Sequence, residues 1–222
     1  MKGILFITGT DTGVGKTLLT ALLLSHARHR GILALAAKPF TAGGSEDVVL
    51  LQSLQPGELS DSEMNPYAFE APLAPWVAAR GRGPSLGNVA AGLRELRERC
   101  DLLLVEGAGG LLSPLGAGYS LAEVRQRFGG RALIVAPNRL GVLNHVLLTL
   151  HRLGRARACV VLMGQCRPDP ATVSNARALR RWRPGTSVWE LPWLGPGLMR
   201  KRGILAAEKK MRKTLAKILG ND

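Results

Sequence analysis

Hydrophobic positions fall into two kinds of segment that alternate along the chain. In the first kind, apolar residues form short continuous runs, and in the second they recur at helical spacing among polar residues. A strand buried on both faces of a parallel sheet is apolar throughout, whereas a helix that covers the sheet has one apolar stripe. The continuous runs predict six strands: KGILFITG, ILALAAKP, DLLLVEG, RALIVAP, RACVVLMG and SVWELPWL.

The periodic segments predict helices. Gly31 is expected to close the first of them, and Ser45 is expected to cap the second. Residues 56–85 are rich in Pro and Gly and predict an irregular loop with short helical pieces. The six predicted helices are KTLLTALLLSHARHR, SEDVVLLQSLQ, SLGNVAAGLRELRERC, GVLNHVLLTLHRLG, DPATVSNARALRRW and AAEKKMRKTLAKIL.

The alternation of buried strands with helices predicts an α/β fold with a mostly parallel central sheet and helices on both faces. Because the sequence shows no internal repeat, linker or low-complexity segment, we expect a single domain over residues 1–222. Ligands of such folds bind at the carboxyl ends of the strands. Five residues are expected at these ends and so near a common site: Gly9, Lys38, Glu106, Asn138 and Gly164.

Composition narrows the class of protein. The chain has 222 residues, of which 46% are hydrophobic, so it can bury a core and does not resemble a disordered chain. Its three cysteines form no C-x-x-C pair, which argues against a disulfide or zinc framework and fits a reducing compartment. The first apolar run is too short for a signal peptide, and no run could span a bilayer. We therefore expect a cytoplasmic protein.

The formal net charge of +14 is concentrated in the last third of the chain. Residues 151–222 hold 16 Lys and Arg against 4 Asp and Glu. Such a basic segment can bind nucleic acid, anionic lipid or an acidic ligand. It lacks interleaved surface aromatics, however, and contains no DNA-reading motif. A solvated surface is the favoured interpretation, and neither nucleic acid nor a membrane is expected as a partner.

The segment GTDTGVGKT lies between a predicted strand and a predicted helix. It matches the phosphate-binding pattern G-x-x-x-x-G-K-[ST] except for one additional residue between Gly9 and Gly15. The glycines let backbone N–H groups face an anion, and the helix start adds its positive dipole end. Lys16 can reach the terminal phosphates and Thr17 can offer a hydroxyl to Mg²⁺. The segment predicts a P-loop nucleoside-triphosphatase fold, with nucleotide held by Gly13, Val14, Gly15, Lys16, Thr17 and Leu18.

Three charged residues elsewhere in the chain are candidates for the same site. Lys38 follows a buried run, and by itself it could simply extend from the core to solvent. Asp47 lies at a helix start, where an acidic residue is ordinary. Glu106 follows a buried run and precedes a glycine run, a position that packing explains poorly. Carboxylates and hydroxyls are ligands of Mg²⁺, so we expect Glu106 to serve a magnesium ion.

Six motifs occur in an order and at a spacing that resemble one family. The long loop form and VEGAGG are shared with related amidoligases and partitioning ATPases, but the joint set is much narrower. It resembles the dethiobiotin synthetase family over roughly residues 3–195. The motifs are GTDTGVGKT, KPFTAG, NPYAFEAPLAP, VEGAGGLLSPL, LGVLNH and LPWL.

The resemblance implies a Mg²⁺-dependent and ATP-dependent ligase of biotin biosynthesis. Members of the family close a ureido ring on the diamine 7,8-diaminononanoate with CO₂ and ATP, giving dethiobiotin, ADP and phosphate. A carbamate forms on one amine, ATP phosphorylates it to a mixed anhydride, and the second amine displaces phosphate. This chemistry requires neutralisation of two anions brought close together and exclusion of water from the anhydride.

The resemblance also implies roles for individual residues. Lys16 and Lys38 are the catalytic lysines, Lys16 between phosphate and carbamate and Lys38 on the carbamate. Mg²⁺ is bound by Thr17, Asp47 and Glu106. The substrate is contacted by Thr12, Thr41 and Ala42, and the nucleotide also by Gly107, Ala108, Gly109, Gly164 and Gln165.

A helix start completes the site from a second subunit, so the resemblance implies a homodimer with shared active sites. The residues are Gly141, Val142 and Asn144, which hold the substrate carboxylate. The sequence supports this role independently, because free N–H groups at a helix N-terminus suit a carboxylate.

The chain departs from the family at several positions. Ala42 stands where members commonly have Ser or Thr, and Gly13 stands where some have Glu. Asn-Asp in the family is replaced by Gly164-Gln165, which leaves no asparagine to read adenine. We therefore expect other nucleoside triphosphates to replace ATP. The match of Asp47 depends on a deletion between it and Lys38.

Two alternatives stay open on the sequence alone. One is a partitioning-type ATPase that binds DNA through the basic third, and the other is a related ATP-dependent amidoligase acting on another carboxylate. The partitioning class usually has an additional lysine near the start of the loop, where this chain has Thr10-Asp11-Thr12. The ring-forming ligase is therefore favoured. ATP turnover that requires diamine and bicarbonate, rather than DNA, would separate these classes.

Overall fold

The computed structural model describes residues 3–154 and 158–220. Lys2 and Arg157, with which two predicted strands begin, and the ends of the range 1–222 lie outside the described residues. The strands within the described part of the chain are β1 (Gly3–Gly9), β2 (Ala34–Ala37), β3 (Phe40–Ala42), β4 (Tyr67–Phe69), β5 (Leu102–Gly110), β6 (Arg131–Pro137), β7 (Ala158–Met163) and β8 (Ser187–Leu191).

The helices alternate with these strands, as the hydrophobic pattern predicts. The described residues contain α1 (Lys16–His29), α2 (Glu46–Leu54), α3 (Asp61–Met64), α4 (Pro75–Ala78), α5 (Leu86–Glu98), α6 (Leu121–Phe128), α7 (Val142–Leu153), α8 (Thr172–Trp182) and α9 (Lys201–Leu219).

Six parallel strands form the central sheet in the order β2-β5-β1-β6-β7-β8. The central strand β1 is buried along its length beyond Gly3, which is why it reads as a continuous apolar run. Helices cover both faces of the sheet: α1 packs on α2 and α9, α5 packs on α6, and α7 packs on α8. The predicted fold class is confirmed.

All six predicted strands and all six predicted helices are present. Gly31 follows α1 in the left-handed conformation, with φ of +76°, and its N–H donates to Arg28, which confirms it as the helix stop. The prediction that the Ser45 side chain caps α2 was wrong. Ser45 precedes α2, but its ψ of 1° is not the extended conformation of a capping residue, and its side chain makes no capping bond.

Strand β5 is longer than predicted, so Glu106 lies within the strand and not at its end. Neighbour β2 stops pairing at Val105, whereas β1 continues, with Ile7 opposite Glu106 and Gly9 opposite Gly110. One edge of β5 is therefore open from Glu106 onward. The other four residues expected at strand ends lie there: Gly9, Lys38, Asn138 and Gly164.

Three elements were not predicted. Strands β3 and β4 pair in a separate two-stranded parallel sheet, supported by stacking of the Phe40 and Tyr67 rings with centroids 5.0 Å apart. Each has three residues, too few to show an alternating pattern. Helix α6 did carry a sequence signal, the capping box formed by Ser120 and Glu123. The region 56–85 otherwise contains the short helical pieces expected, α3 and α4.

None of the helices in the described part of the chain combines the length and apolar character that crossing a bilayer requires. Helix α9 instead buries its apolar side in the core through Ile204, Leu215 and Ile218, and turns most of its lysines to solvent. His26 of α1 bonds Glu208 of α9 at 2.9 Å between Nδ1 and Oε1, which fastens the two helices together. The basic residues of α9 thus belong to a packed helix with a charged outer face.

Candidate nucleotide and magnesium site

The phosphate loop joins the end of β1 to the start of α1, and its glycines are required by its shape. Gly13 and Gly15 have φ of +67° and +98°, a region that favours glycine. A Cβ on Gly9 would lie 2.6 Å from the carbonyl oxygen of Asp11, so the loop folds too tightly there for a side chain. No side chain caps α1, which leaves the first N–H groups of this helix available to an anion.

Lys16 is buried at the base of this loop. Its Nζ donates to the carbonyl oxygen of Asp11 at 2.9 Å, so the side chain curls back over the loop. Burial lowers the pKa of the Lys16 ammonium by more than the nearby Glu106 carboxylate raises it. A group in this state gains stabilisation when a full negative charge, such as a phosphate, replaces the carbonyl dipole.

Lys38 lies at the centre of a cluster built from four elements. Its Nζ donates to Glu106 Oε1 at 2.8 Å and to Asp47 Oδ2, and lies 3.4 Å from Thr17 Oγ1. The Thr17 hydroxyl in turn donates to Glu106 Oε1 at 2.6 Å. Burial acts to lower the pKa of Lys38, but the carboxylates of Glu106 and Asp47 outweigh it, so the pKa is raised.

The cluster has the composition of a magnesium site. Glu106 is 1% exposed, and its second carboxylate oxygen, Oε2, has no hydrogen-bond partner among the described residues. A buried carboxylate oxygen without a partner is costly and is normally explained by an ion or a water. Two carboxylates and one hydroxyl converge here. No group of three or more His, Cys, Asp or Glu that could hold a metal is found in the described residues, at this cluster or elsewhere. Such a partial ligand set suits Mg²⁺, which keeps waters and substrate phosphates as its remaining ligands.

One cavity of about 790 Å³ contains most of the predicted residues. It is also lined by residues 72–75, which end the motif NPYAFEAPLAP but were given no role, and by residues 195–199, which the sequence did not single out. The predicted residues that line it are Thr12, Gly13, Gly15, Lys16, Thr17, Leu18, Lys38, Thr41, Ala42, Asp47, Gly107, Ala108 and Gly109. Val14 is buried beside Gly9, and Glu106 lies just beneath the cavity, behind Lys38.

Gly164 and Gln165 do not line this cavity. A Cβ on Gly164 would lie 2.4 Å from the backbone nitrogen of Trp193, so the chain after β8 packs directly on this glycine. The Gln165 amide donates back to the carbonyl of Met163 at 2.8 Å. Trp193 itself lines the cavity. Asn138, which also follows a strand, is bonded to Asn175 at 2.9 Å instead of facing the cavity.

The segment from Gly141 to Asn144 lies apart from the cavity of its own chain. Gly141 precedes α7 with φ of +88°, and no side chain caps this helix. Asn144 lines a separate shallow depression beside Trp182. The start of α7 therefore does not belong to the cavity that the chain's own phosphate loop lines.

Asn65 is a site residue that the sequence did not reveal as such. Its side-chain amide donates to the carbonyl of Lys38 at 2.6 Å and accepts from the Thr41 hydroxyl at 2.9 Å. The N–H of Lys38 also donates to Met64, at 3.0 Å. The backbone of Lys38 is therefore held on both sides by consecutive residues, and the Thr41 hydroxyl is already bonded. Asn65 belongs to the NPY motif, but only the fold brings it to Lys38.

This architecture defines a class. A parallel sheet with a Gly-rich loop, a buried Lys-Thr pair and a carboxylate on the adjacent strand is a P-loop nucleotide-binding protein. Solved structures agree on the fold. The cell division protein MinD of Aquifex aeolicus has a TM-score of 0.61 at 15% identity, covering 99% of this chain and 98% of that one. The pNOB8 ParA protein bound to nonspecific DNA has a TM-score of 0.61 at 11% identity, covering both chains fully.

Sequence comparison identifies the family. An AAA domain family matches residues 4–196. The ATP-dependent dethiobiotin synthetase of Anaeromyxobacter sp. (strain Fw109-5) is 40% identical over 192 residues, covering 78% of this chain and 81% of the relative. The one of Bacillus subtilis (strain 168) is 36% identical over 196 residues, covering 82% and 83%. This chain belongs to the ATP-dependent dethiobiotin synthetase family, which confirms the resemblance read from its motifs.

Proposed function

We propose that this protein is a dethiobiotin synthase that converts 7,8-diaminononanoate, CO₂ and ATP to dethiobiotin, ADP and phosphate. The similarity to ATP-dependent dethiobiotin synthetases over about four fifths of the chain supports this reaction. The main structural support for this reaction is the composition and size of one cavity. A phosphate loop and two buried lysines, Lys16 and Lys38, border one cavity large enough for a nucleotide and a small substrate.

The proposed reaction has three steps. One amine of the diamine attacks CO₂, forms an N–C bond and loses a proton, which gives a carbamate. A carbamate oxygen then attacks the γ-phosphorus, an O–P bond forms, and ADP leaves with the electrons of the broken bond. Finally the second amine attacks the carbonyl carbon, the C–O bond to phosphate breaks, and the amine proton is lost as the ring closes.

The loop and Lys16 hold the triphosphate in this proposal. The backbone N–H groups at the start of α1 point into the loop, where no side chain competes for them. Lys16 exchanges the carbonyl of Asp11 for phosphate oxygens, since its Nζ lies 2.9 Å from that carbonyl within the loop. Two positive charges, on Lys16 and Lys38, then face the carbamate and the γ-phosphate. They offset the repulsion between two anions that must come into contact.

Mg²⁺ would be bound by Thr17, Asp47 and Glu106. The fit rests on the convergence of their oxygens and on the unpartnered Oε2 of Glu106. The ion, when bound, supplies positive charge to the phosphate oxygens. The chain itself would limit access of water to the metal ligands from below the cavity, because Glu106 and Thr17 are both buried.

The diamine would lie between the loop and residues 72–75. Thr12 and Ala42 line this part of the cavity, and Pro72 and Leu73 offer an apolar wall for an aliphatic chain. Thr41 also lines it, but its hydroxyl is committed to Asn65, so we assign it to positioning Lys38. Ala42 contributes its backbone and methyl group.

A second copy of the chain would complete each site with Gly141, Val142 and Asn144. The start of α7 has no side-chain cap, which suits the substrate carboxylate, and it lies outside the cavity of its own chain. Large apolar side chains nearby are exposed: Leu140 is 80% exposed, Leu148 61% and Trp182 74%. Exposed apolar side chains of this size are what an interface with a second copy would bury, and this supports the proposed homodimer with shared sites.

ADP release by the purified protein tests the proposed function. We expect release to require both the diamine and bicarbonate and to be unaffected by added DNA. ATP turnover that DNA stimulates, with no response to the diamine, would contradict the proposal and favour the partitioning class. Turnover with another carboxylate substrate and no response to the diamine would favour a related amidoligase.

A further inference from the structure

The ammonium of Lys38 occupies the position where the three proposed metal ligands converge. It donates to Glu106 Oε1 at 2.8 Å and to Asp47 Oδ2, and it lies 3.4 Å from Thr17 Oγ1. A lysine that merely bordered a metal site would be expected to avoid this position, since its charge would oppose the ion. Here one side-chain cation takes the place of the metal cation.

The two cations cannot share these oxygens. Mg²⁺ binds oxygen at about 2.0–2.1 Å, so an ion held by Glu106 Oε1 and Asp47 Oδ2 would overlap the ammonium that now contacts both oxygens, whereas the unpartnered Glu106 Oε2 alone offers an ion a single ligand. Repulsion between buried like charges adds to the steric conflict, because the site has little solvent to screen it. Glu106 is 1% and Lys38 7% exposed. Binding of a metal ion through the two oxygens that Lys38 contacts therefore requires the ammonium to leave.

The structure provides a path for this movement. The backbone of Lys38 is held through its N–H by Met64 and through its carbonyl by Asn65. The side chain lines the 790 Å³ cavity, so rotation about side-chain bonds alone carries Nζ from the carboxylates into the cavity. No rearrangement of the sheet is needed.

We propose that Lys38 is the counter-cation of the metal ligands in the nucleotide-free protein, and that a divalent ion binds only by displacing its ammonium into the cavity. The proposal that a metal ion exchanges with the ammonium rests on the geometry of the cluster. The use of the displaced ammonium, which would then face the carbamate, rests on the proposed function. Lys38 thereby keeps metal binding weak until ligands bring further oxygens, and its own arrival at the substrate depends on the metal.

Lys16 provides a matched control. It is equally buried, at 7% exposed, and belongs to the same cavity. Its Nζ, however, donates to the carbonyl of Asp11 and not to the carboxylates. Removing the charge of Lys16 lowers the local positive potential as well, but it does not vacate the metal position.

The test measures Mn²⁺ binding by electron paramagnetic resonance of the free ion, with no nucleotide present. Wild type and Lys16→Met are expected to bind Mn²⁺ weakly, and Lys38→Met at least about tenfold more tightly, because the buried Glu106 and the partly exposed Asp47 then lack a counter-charge. Adding Glu106→Gln to Lys38→Met should abolish the gain. Equal affinities of wild type and Lys38→Met would overturn the proposal, as would an equal gain in Lys16→Met.

A second measurement uses wild-type protein and does not depend on the folding of any variant. Trinitrobenzenesulfonate labels free lysine amines, and peptide mass spectrometry reports labelling at Lys38. We expect saturating Mn²⁺ to increase the labelling rate of Lys38 severalfold and to leave that of exposed Lys201 unchanged. An unchanged rate at Lys38 would overturn the proposal. Neither measurement uses the diamine, so the exchange can fail while dethiobiotin is still formed, and the reverse.

Discussion

Lys16 and Lys38 are both buried lysines of one cavity, yet their surroundings differ. Burial dominates at Lys16 and lowers its pKa, whereas carboxylates dominate at Lys38 and raise its pKa. Lys16 therefore lacks a full counter-charge and is matched to an incoming phosphate. Lys38 has two carboxylate counter-charges, Glu106 and Asp47. In the proposed mechanism it leaves these carboxylates before it acts on a substrate.

Replacing either lysine should remove most of the activity. Lys16→Ala and Lys38→Ala each delete a charge that would face the developing negative charge, and loss of such a group typically costs a factor of about 10²–10³ in turnover. Steady-state kinetics with circular dichroism checks both rate and fold. Lys201→Ala, on the exposed face of α9, is the control and should have wild-type activity. Activity of Lys38→Ala within about threefold of wild type would refute its catalytic role.

Single residues were predicted from sequence where the signal is local. Gly13, Gly15 and Lys16 belong to one short pattern, and the structure places all three on the cavity. Asn65 and Trp193 reach the site through contacts with residues distant in sequence, Asn65 with Lys38 and Trp193 with Gly164. No local pattern encodes such contacts, so they were not predicted.

The length of a strand or helix determined whether the sequence predicted it. Strand β6 was predicted with its observed bounds, since RALIVAP is a continuous apolar run. Strands β3 and β4 are stabilised by each other and by the stacking of Phe40 on Tyr67, which pairs residues far apart in sequence. Strand β5 extends past Val105 because β1 continues to pair with it. The position of Glu106 therefore depends on a neighbouring strand.

Helix α6 should depend on its capping box. The Ser120 hydroxyl accepts from the N–H of Ala122 at 3.2 Å, and the Ser120 N–H donates to Glu123 at 2.8 Å. Ser120→Ala is expected to lower the free energy of unfolding by about 1 kcal/mol, measured by urea denaturation. Glu95→Ala, at an exposed position in the interior of α5, should change it by less than about 0.5 kcal/mol. Equal effects would show that the box does not stabilise α6.

The loops that follow β7 and β8 should discriminate poorly between bases. Gly164 has no side chain, and the Gln165 amide is bonded to the carbonyl of Met163. Residues 195–199 of the cavity wall are glycine, proline, leucine and methionine. Their side chains have no amide or carboxylate group that could pair with a base edge. Strong discrimination requires buried polar groups that only the right ligand satisfies.

We therefore expect CTP, GTP and UTP to support turnover within about tenfold of ATP, a spread of ~1.4 kcal/mol. Most nucleotide affinity would come from the triphosphate on the loop, which all four nucleotides share. The measurement is product formation with each nucleoside triphosphate at equal concentration. A preference for ATP beyond about a hundredfold would show that Gln165 or another residue reads the base.

At the scale of the whole molecule, the cavity lies between segments that follow the first and the last strand of the sequence. The phosphate loop follows β1, the first strand, and residues 195–199 follow β8, the last strand of the sheet. The parallel order brings these segments to one edge, as the alternation of strands and helices predicts. The basic residues in the last third of the chain gave no reason to expect a binding partner. In the structure, helix α9 buries its apolar side, which leaves a charged outer face.

Shared active sites predict complementation between inactive proteins. Lys16→Ala should inactivate the loop side of a site, and Asn144→Glu, at an exposed position, should place a negative charge where the substrate carboxylate is expected to bind. After mixing and subunit exchange, half of the dimers combine one chain of each kind, and each of these has one intact site. Recovery of up to about a quarter of wild-type activity is expected.

Sedimentation of the wild type should show a dimer. The control mixture combines Lys16→Ala with Lys38→Ala, whose changes fall on the same side of the site and should not complement each other. An active monomer, or equal recovery in both mixtures, would contradict the shared-site arrangement.

The most direct test of the account is the fate of labelled carbon. Purified protein is incubated with 7,8-diaminononanoate, ¹³C-bicarbonate and MgATP, and the products are analysed by mass spectrometry. The account predicts dethiobiotin with ¹³C in its ring carbonyl, with ADP and phosphate formed in equal amounts. If the protein binds nucleotide but forms no labelled dethiobiotin, the assignment of this site to ureido ring closure is contradicted.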